Sequence, residues 1–124
     1  MNSEENLAAY ADVLPTELTV TDLSVGEGAE AASGDLISVN YIGAFPDNTI
    51  FDASASHGGP FTFRLGVDSV IQGWQKGLVG MKEGGTRILI IPPHEGYGPD
   101  GYGSIPPNAT LIFKVELVKV EKAQ

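Results

Sequence analysis

Between residues 66 and 81 the spacing of apolar side chains changes from the two-residue alternation of the flanking segments to a three- and four-residue one. Val67, Val70, Ile71, Trp74 and Leu78 form one helical stripe, with Asp68 or Ser69 placed to cap its start. The spacing predicts a helix over 66–81, the one convincing helix outside the N-terminal lead, with the single tryptophan in the middle of the stripe. Gly73, Gly77 and Gly80 oppose it, because each costs about 1 kcal/mol of helix propensity. Packing against strands must then hold this helix, and close backbone approach is a reason to keep glycine there. Whatever sheet the remaining chain builds is expected to wrap this element.

The chain on either side alternates. Residues 18–23 read as an exposed strand, and Ile37, Val39 and Tyr41 alternate with Ser38 and Asn40 as a half-buried one. Residues 49–52 and 61–65 are extended, and 86–91 form an apolar-rich strand ending at Pro92-Pro93. Leu111, Phe113, Val115 and Leu117 alternate with residues that are themselves apolar at first, as in a central strand whose far end emerges into solvent. The proline- and glycine-rich stretch 92–107 reads as a long loop of limited freedom. The expectation is an α+β domain: a curved, five- or six-stranded antiparallel sheet around one short helix. Residues 16–124 form that domain. Residues 1–15 form an acidic lead, a short docked helix or a flexible tail, ended by Pro15.

With 124 residues the chain suffices for one core. The ten acidic residues up to Asp52 are accompanied by no Lys or Arg, whereas six acidic and seven basic residues follow Gly59, for a net charge of -9. Nucleic acid and anionic membranes are therefore poor partners, since phosphate binding needs clustered cations. Without cysteine there is no thiolate nucleophile or disulfide. His57 and His94 lack a third ligand at metal spacing, so no metal or other cofactor is expected. No nucleophile elbow is present, and the glycines at 96–103 do not sit between a strand and a helix as a phosphate cradle requires. The start carries no basic or long apolar run, and a cytoplasmic monomer is the expectation.

What remains is a supply of aromatic side chains near bends: Tyr41, Phe51, Phe61, Phe63, Trp74, Tyr97, Tyr102 and Phe113. For Phe61 and Phe63 an ordinary core role is at least as good a reading as a pocket role. Tyr97, inside a glycine-proline loop, points more toward binding. A concave aromatic site with few polar groups suits a neutral, apolar ligand.

Three blocks then carry a resemblance. They are Val39-Asn40-Tyr41-Ile42-Gly43 with Phe51-Asp52-Ala53-Ser54; Phe61 to Gly66 running into Val70-Ile71-Gln72-Gly73-Trp74; and Ile91-Pro92-Pro93, Tyr97-Gly98 and Ile105 to Phe113. In this order, over roughly 16–120, the chain resembles the FK506-binding-protein family of peptidyl-prolyl cis-trans isomerases. The resemblance implies a pocket of Tyr41, Phe51, Asp52, Phe61, Val70, Ile71, Trp74, Tyr97, Ile105 and Phe113, with Trp74 as its floor. It implies that the Ile71 N–H and the Tyr97 hydroxyl bind ligand carbonyls while Asp52 faces the carbonyl before proline. Tyr41, Ile71, Trp74, Tyr97 and Phe113 would act with Asp52 in catalysis. Its partners would be X-Pro peptides and unfolded proteins, with FK506 or rapamycin as inhibitors; the alternative is a proline-peptide binding module without useful turnover.

Two departures accompany the likeness. His57 stands where many relatives carry an arginine that pairs with the pocket aspartate, which implies a less firmly oriented Asp52. The loop after Tyr97 is about one residue shorter than in a small family member, so no family role is carried onto Tyr102. Residues 91–105 are too few for the chaperone domain inserted there in some bacterial relatives.

Overall fold

The computed structural model describes residues 6–11 and 13–123. Among the described residues there are six strands: β1 (Thr19–Ser24), β2 (Leu36–Ala44), β3 (Ile50–Ala53), β4 (Phe61–Arg64), β5 (Thr86–Ile91) and β6 (Leu111–Glu121). They form one antiparallel sheet in the order β1-β5-β6-β2-β3, and β4 also pairs with β2. The nine residues of β2 serve both short strands along one edge. Leu36 to Val39 pair with β4, and Ile42 to Ala44 pair with β3. On its other edge β2 runs against β6, from Leu36 opposite Glu121 to Ala44 opposite Ile112. β6 is thus central, buried on both faces at its start and exposed toward its end, as the side-chain pattern predicts.

The helix is shorter than the apolar spacing predicts. α1 spans Gln72–Gly77, and its N-cap is Ile71, with no side-chain cap. Neither Asp68 nor Ser69 takes that role. The Asp68 carboxylate accepts the Arg64 N–H at 2.8 Å, closing a turn in which Gly66 has φ +79°. Gln75 ties this turn to the helix, accepting the Gly66 N–H at 2.7 Å and donating to the Asp68 carbonyl at 2.8 Å. Val67 consequently leaves the stripe and is 65% exposed, while Trp74 and Leu78 are buried and Val70 and Ile71 pack against the same core.

Close approach explains two of the helical glycines. A Cβ on Gly73 would lie 2.6 Å from Ile91 Cδ1, and one on Gly77 would lie 2.8 Å from Leu89 Cδ2. One turn of α1 therefore lies almost flat on the inward side chains of β5. The other end is held by Arg87, which donates to the Gly77 and Val79 carbonyls at 2.8 and 3.1 Å and pairs with Asp22 at 2.6 Å. A cation over carbonyls that have no intrahelical partner stabilises a helix C-terminus.

Two apolar clusters share the sheet. The inward one joins Trp74 and Leu78 to Ile37, Val39, Leu89, Leu111, Phe113 and Val115. On the outward face Ile88, Ile90, Ile112 and Ala44 are covered by Leu7 and Ala11 of a 3-10 turn, Leu7–Ala11. Docking of that turn is the lead's conformation where it is described; its acidic start, residues 1–5, lies outside the described residues.

Candidate active site

Strand pairing and one loop bring the implied pocket residues together. Tyr41 on β2 and Phe113 on β6 project inward from neighbouring strands, and Phe51 and Asp52 follow on β3. Phe61 begins β4, Val70 and Ile71 precede α1, and Trp74 is in it. Tyr97 and Ile105 come from the loop after β5. All ten line one cavity of about 420 Å3, which His57, Ser69, Tyr102, Gly103 and Ser104 complete.

Trp74 is buried, with four aromatic rings around it: Tyr41 and Phe113 edge-on at centroid distances of 5.1 and 5.3 Å, and Phe63 and Phe61 tilted at 5.8 and 6.2 Å. Edge contacts match the positive rim of one ring to the negative face of the next. Phe113 and Phe51 also meet edge-on at 5.5 Å. Both lie against Gly43, where a Cβ would come within 2.7 Å of Phe113 Cε1 and Phe51 Cζ, so the glycine on β2 makes room for the wall of the cavity. The indole N–H of Trp74 is buried and has no hydrogen-bond partner among the described residues. Phe61, 42% exposed, stacks on buried Phe63 at 5.3 Å; the first is a rim residue and the second belongs to the core.

One carboxylate enters this apolar surround. Asp52 Oδ2 accepts the Tyr41 hydroxyl at 2.8 Å, and Oδ1 accepts the Ala53 N–H at 2.9 Å and lies 2.8 Å from His57 Nε2. Both carboxylate oxygens are thus engaged, with His57 standing where the resemblance implies an arginine in many relatives. The 3-10 turn Ser54–His57 positions the imidazole, and Gly58 at φ +91° ends that turn. Burial, and then the hydrogen bond to Asp52, push the Tyr41 phenol well above the usual tyrosine value. Burial, and then the Asp52 charge, raise Tyr97. Both phenols are hydrogen-bond donors throughout the neutral range.

The loop after β5 is tied at several points. Pro93–Glu95 form a 3-10 turn that the loop reading does not anticipate. Glu95 is buried and takes the Lys76 ammonium of α1 at 2.9 Å. The Asn108 N–H donates to the Gly98 carbonyl, and Tyr102 and Ile105 exchange two backbone hydrogen bonds of 2.9 and 2.8 Å. This tight hairpin lays Tyr102 parallel to Tyr97, with 5.5 Å between centroids and 14° between planes. Tyr102 was legible only as an aromatic in a loop, because its placement depends on the hairpin. The N-cap position of Ile71 leaves its own N–H outside the helical ladder, beside the cavity.

Known proteins share this sequence and fold. Residues 27–118 match the family model for the FKBP-type peptidyl-prolyl cis-trans isomerase. An FK506-binding protein of Neisseria meningitidis serogroup B is 52% identical over 104 residues, covering 83% of this chain and 95% of the relative. An FK506-binding protein of Streptomyces anulatus is 47% identical over 109 residues, covering 86% and 88%. The crystal structure of AtFKBP13 superposes with a TM-score of 0.79 at 39% identity, over 86% of this chain and 95% of that one. FkpA from Escherichia coli gives 0.81 at 38% identity, over 98% of this chain and 58% of that one. With a family match over residues 27–118, a relative 52% identical and a shared fold, the chain belongs to the FKBP-type peptidyl-prolyl cis-trans isomerase family.

Proposed function

We propose that the chain accelerates rotation about X-Pro bonds of flexible or unfolded polypeptides by holding the twisted amide more favourably than the planar one. Rotation faces a barrier of roughly 18–20 kcal/mol because amide resonance is lost on the way. No bond to a side chain has to form, so the chemistry suits a site of aromatic rings with one carboxylate. A rate gain of about 10^5 needs about 7 kcal/mol, within reach of preferential binding.

In this reading proline sits against Trp74, with Phe51, Val70, Ile71, Ile105 and Phe113 excluding water and Phe61 at the rim. A twisted amide carries less charge on its oxygen than a planar one, so a dry surround opposes the ground state more than the transition state. The Ile71 N–H keeps the peptide backbone in register, the Tyr97 hydroxyl donates to a neighbouring carbonyl, and Asp52, held by Tyr41, orients and stabilises electrostatically without moving a proton. The observation that carries this reading is the fixed Asp52 carboxylate at the wall of a cavity otherwise built from aromatic and aliphatic side chains. The same cavity supports FK506 and rapamycin as inhibitors.

The test is an isomerisation assay on a short X-Pro peptide, with and without FK506. Acceleration that the macrolide abolishes is expected. Tight macrolide binding without acceleration would replace the enzyme by a peptide-binding module, and absence of both would overturn the pocket assignment.

A further inference from the structure

Tyr97 is the proposed donor to a ligand carbonyl, yet its hydroxyl has no hydrogen-bond partner among the described residues. The phenol is therefore placed by its backbone and by the stack on Tyr102, not by a bond of its own. That backbone is compact: the Glu95 N–H donates to the Pro92 carbonyl at 3.0 Å, and the Gly96 and Gly98 N–H groups both donate to that of Pro93, at 3.0 and 2.9 Å. Residues 92–98 thus form one turn, and a displacement at Glu95 is carried to Tyr97 two residues on.

Glu95 is the buried carboxylate of that turn. Its Oε2 takes the Lys76 ammonium at 2.9 Å, with 57% of the lysine side chain exposed against 10% of the glutamate. His94 Nε2 stands 3.7 Å from the same oxygen, beyond hydrogen-bond range. Lys76 comes two residues after Trp74 on α1, and among the described residues its bond to Glu95 is the one side-chain hydrogen bond or ion pair between α1 and the loop after β5. A single contact therefore joins the element that carries the floor of the cavity to the turn that carries Tyr97. Neither partner lines the cavity.

We propose that Lys76 and Glu95 are a positioning pair for Tyr97: their contact sets the place of the phenol hydroxyl relative to the Trp74 floor, and so the strength of its bond to a ligand carbonyl. This rests on the isomerase reading of the cavity and adds to it two residues that never touch the ligand. A hydrogen bond weakens steeply once its angle and length depart from the optimum, so a small shift of the turn is enough to forfeit it. A buried carboxylate is tolerated when it is paired and costs heavily when its partner is removed. In Lys76→Met the Glu95 charge is relieved by turning toward water, and residues 92–98 move with it. Replacing both partners by apolar side chains, Lys76→Met with Glu95→Leu, removes the reason to turn.

The experiment compares wild type, Lys76→Met and the double variant by heteronuclear NMR and by calorimetric titration with FK506 at neutral pH. In Lys76→Met the amide signals of Tyr97 and Tyr102 are expected to shift and FK506 affinity to fall roughly five- to tenfold, about the value of one hydrogen bond. Both should return toward wild type in the double variant. In a Tyr97→Phe background Lys76→Met should weaken FK506 binding no further, a result that lost stability alone does not give. Wild-type affinity with wild-type Tyr97 signals in Lys76→Met overturns the proposal, as does an undiminished Lys76→Met effect in the Tyr97→Phe background. Should wild type bind no FK506, the isomerase reading falls and the NMR signals decide alone: a Tyr97 displacement in Lys76→Met that the double variant reverses supports the pair, and its absence removes it.

Discussion

The Tyr41 hydroxyl donates to Asp52 Oδ2 at 2.8 Å, while the Tyr41 ring packs edge-on against Trp74. The same residue thus fixes the floor of the cavity and aims the one carboxylate among its described lining residues. Tyr41→Phe keeps the ring contact and removes the aim: a stability loss of about 1 kcal/mol and a several-fold fall in kcat/KM are expected. Asp52→Ala should cost about tenfold in kcat/KM, with a stability loss of about 1–2 kcal/mol because the half-buried Tyr41 hydroxyl loses its acceptor. The double variant should lose less than the two single losses together. Wild-type turnover in Asp52→Ala would remove the electrostatic role altogether.

Tyr97 is half-buried at the cavity and stacks on Tyr102, so its ring position does not depend on its hydroxyl. Tyr97→Phe should leave the denaturation midpoint unchanged and weaken FK506 binding by roughly five- to tenfold, about the value of one hydrogen bond. Calorimetric titration checks this; unchanged affinity would mean that the phenol binds no ligand carbonyl.

Gly43 lies on β2 behind the rings of Phe51 and Phe113. A methyl there would stand 2.7 Å from both, so the rings must shift to admit it. Gly43→Ala is expected to lower stability by about 1–3 kcal/mol through overpacking and to weaken peptide and macrolide binding together. Stability loss with full affinity would show that the rings yield away from the cavity.

How much of this was legible depended on whether a residue's place is decided locally. The strands were readable because alternation marks a two-faced segment, and the central position of β6 showed in its doubly apolar start. The ten pocket residues were readable from the resemblance, not from spacing, because β2, β3 and β6 meet through pairings that no local pattern encodes. The helix was overextended for a definite reason. Val67 continues the stripe in sequence, but the Arg64–Asp68 turn and the left-handed Gly66 take it out of the helix. Likewise, the engagement of Asp52 by His57 needed the Ser54–His57 turn, which a small, polar, glycine-rich stretch does not announce.

The helical glycines were readable as a conflict whose resolution is now visible. Gly73→Ala gains about 1 kcal/mol of helix propensity, yet its methyl would meet Cδ1, Cγ1 and Cγ2 of the fully buried Ile91 at 2.6–2.7 Å. Three atoms of one side chain cannot all retreat by a rotamer change, so overpacking of about 1–3 kcal/mol wins. Net destabilisation in urea is expected; a gain in midpoint would show that α1 can lift from β5.

Asp35 joins the two ends of the domain core. Buried in the turn before β2, it accepts the Ala32 and Ala123 N–H groups at 2.9 and 2.8 Å and the Lys122 ammonium at 2.6 Å. The Lys122 hydrogen bond first, and then the Ala123 N–H, lower its carboxyl from 3.8 to about 2. Across that interval the unfolded chain binds the proton and the folded chain does not, so acid favours unfolding. The contribution of Asp35 is complete above pH 3.8 and fades as the pH falls to about 2. Asp35→Asn should therefore lower the urea midpoint at pH 7 and flatten its fall between pH 4 and 2, as the C-terminal end of β6 loses its charged anchor. Equal slopes for the two proteins over that range would mean that the carboxyl titrates alike in the folded and unfolded chains.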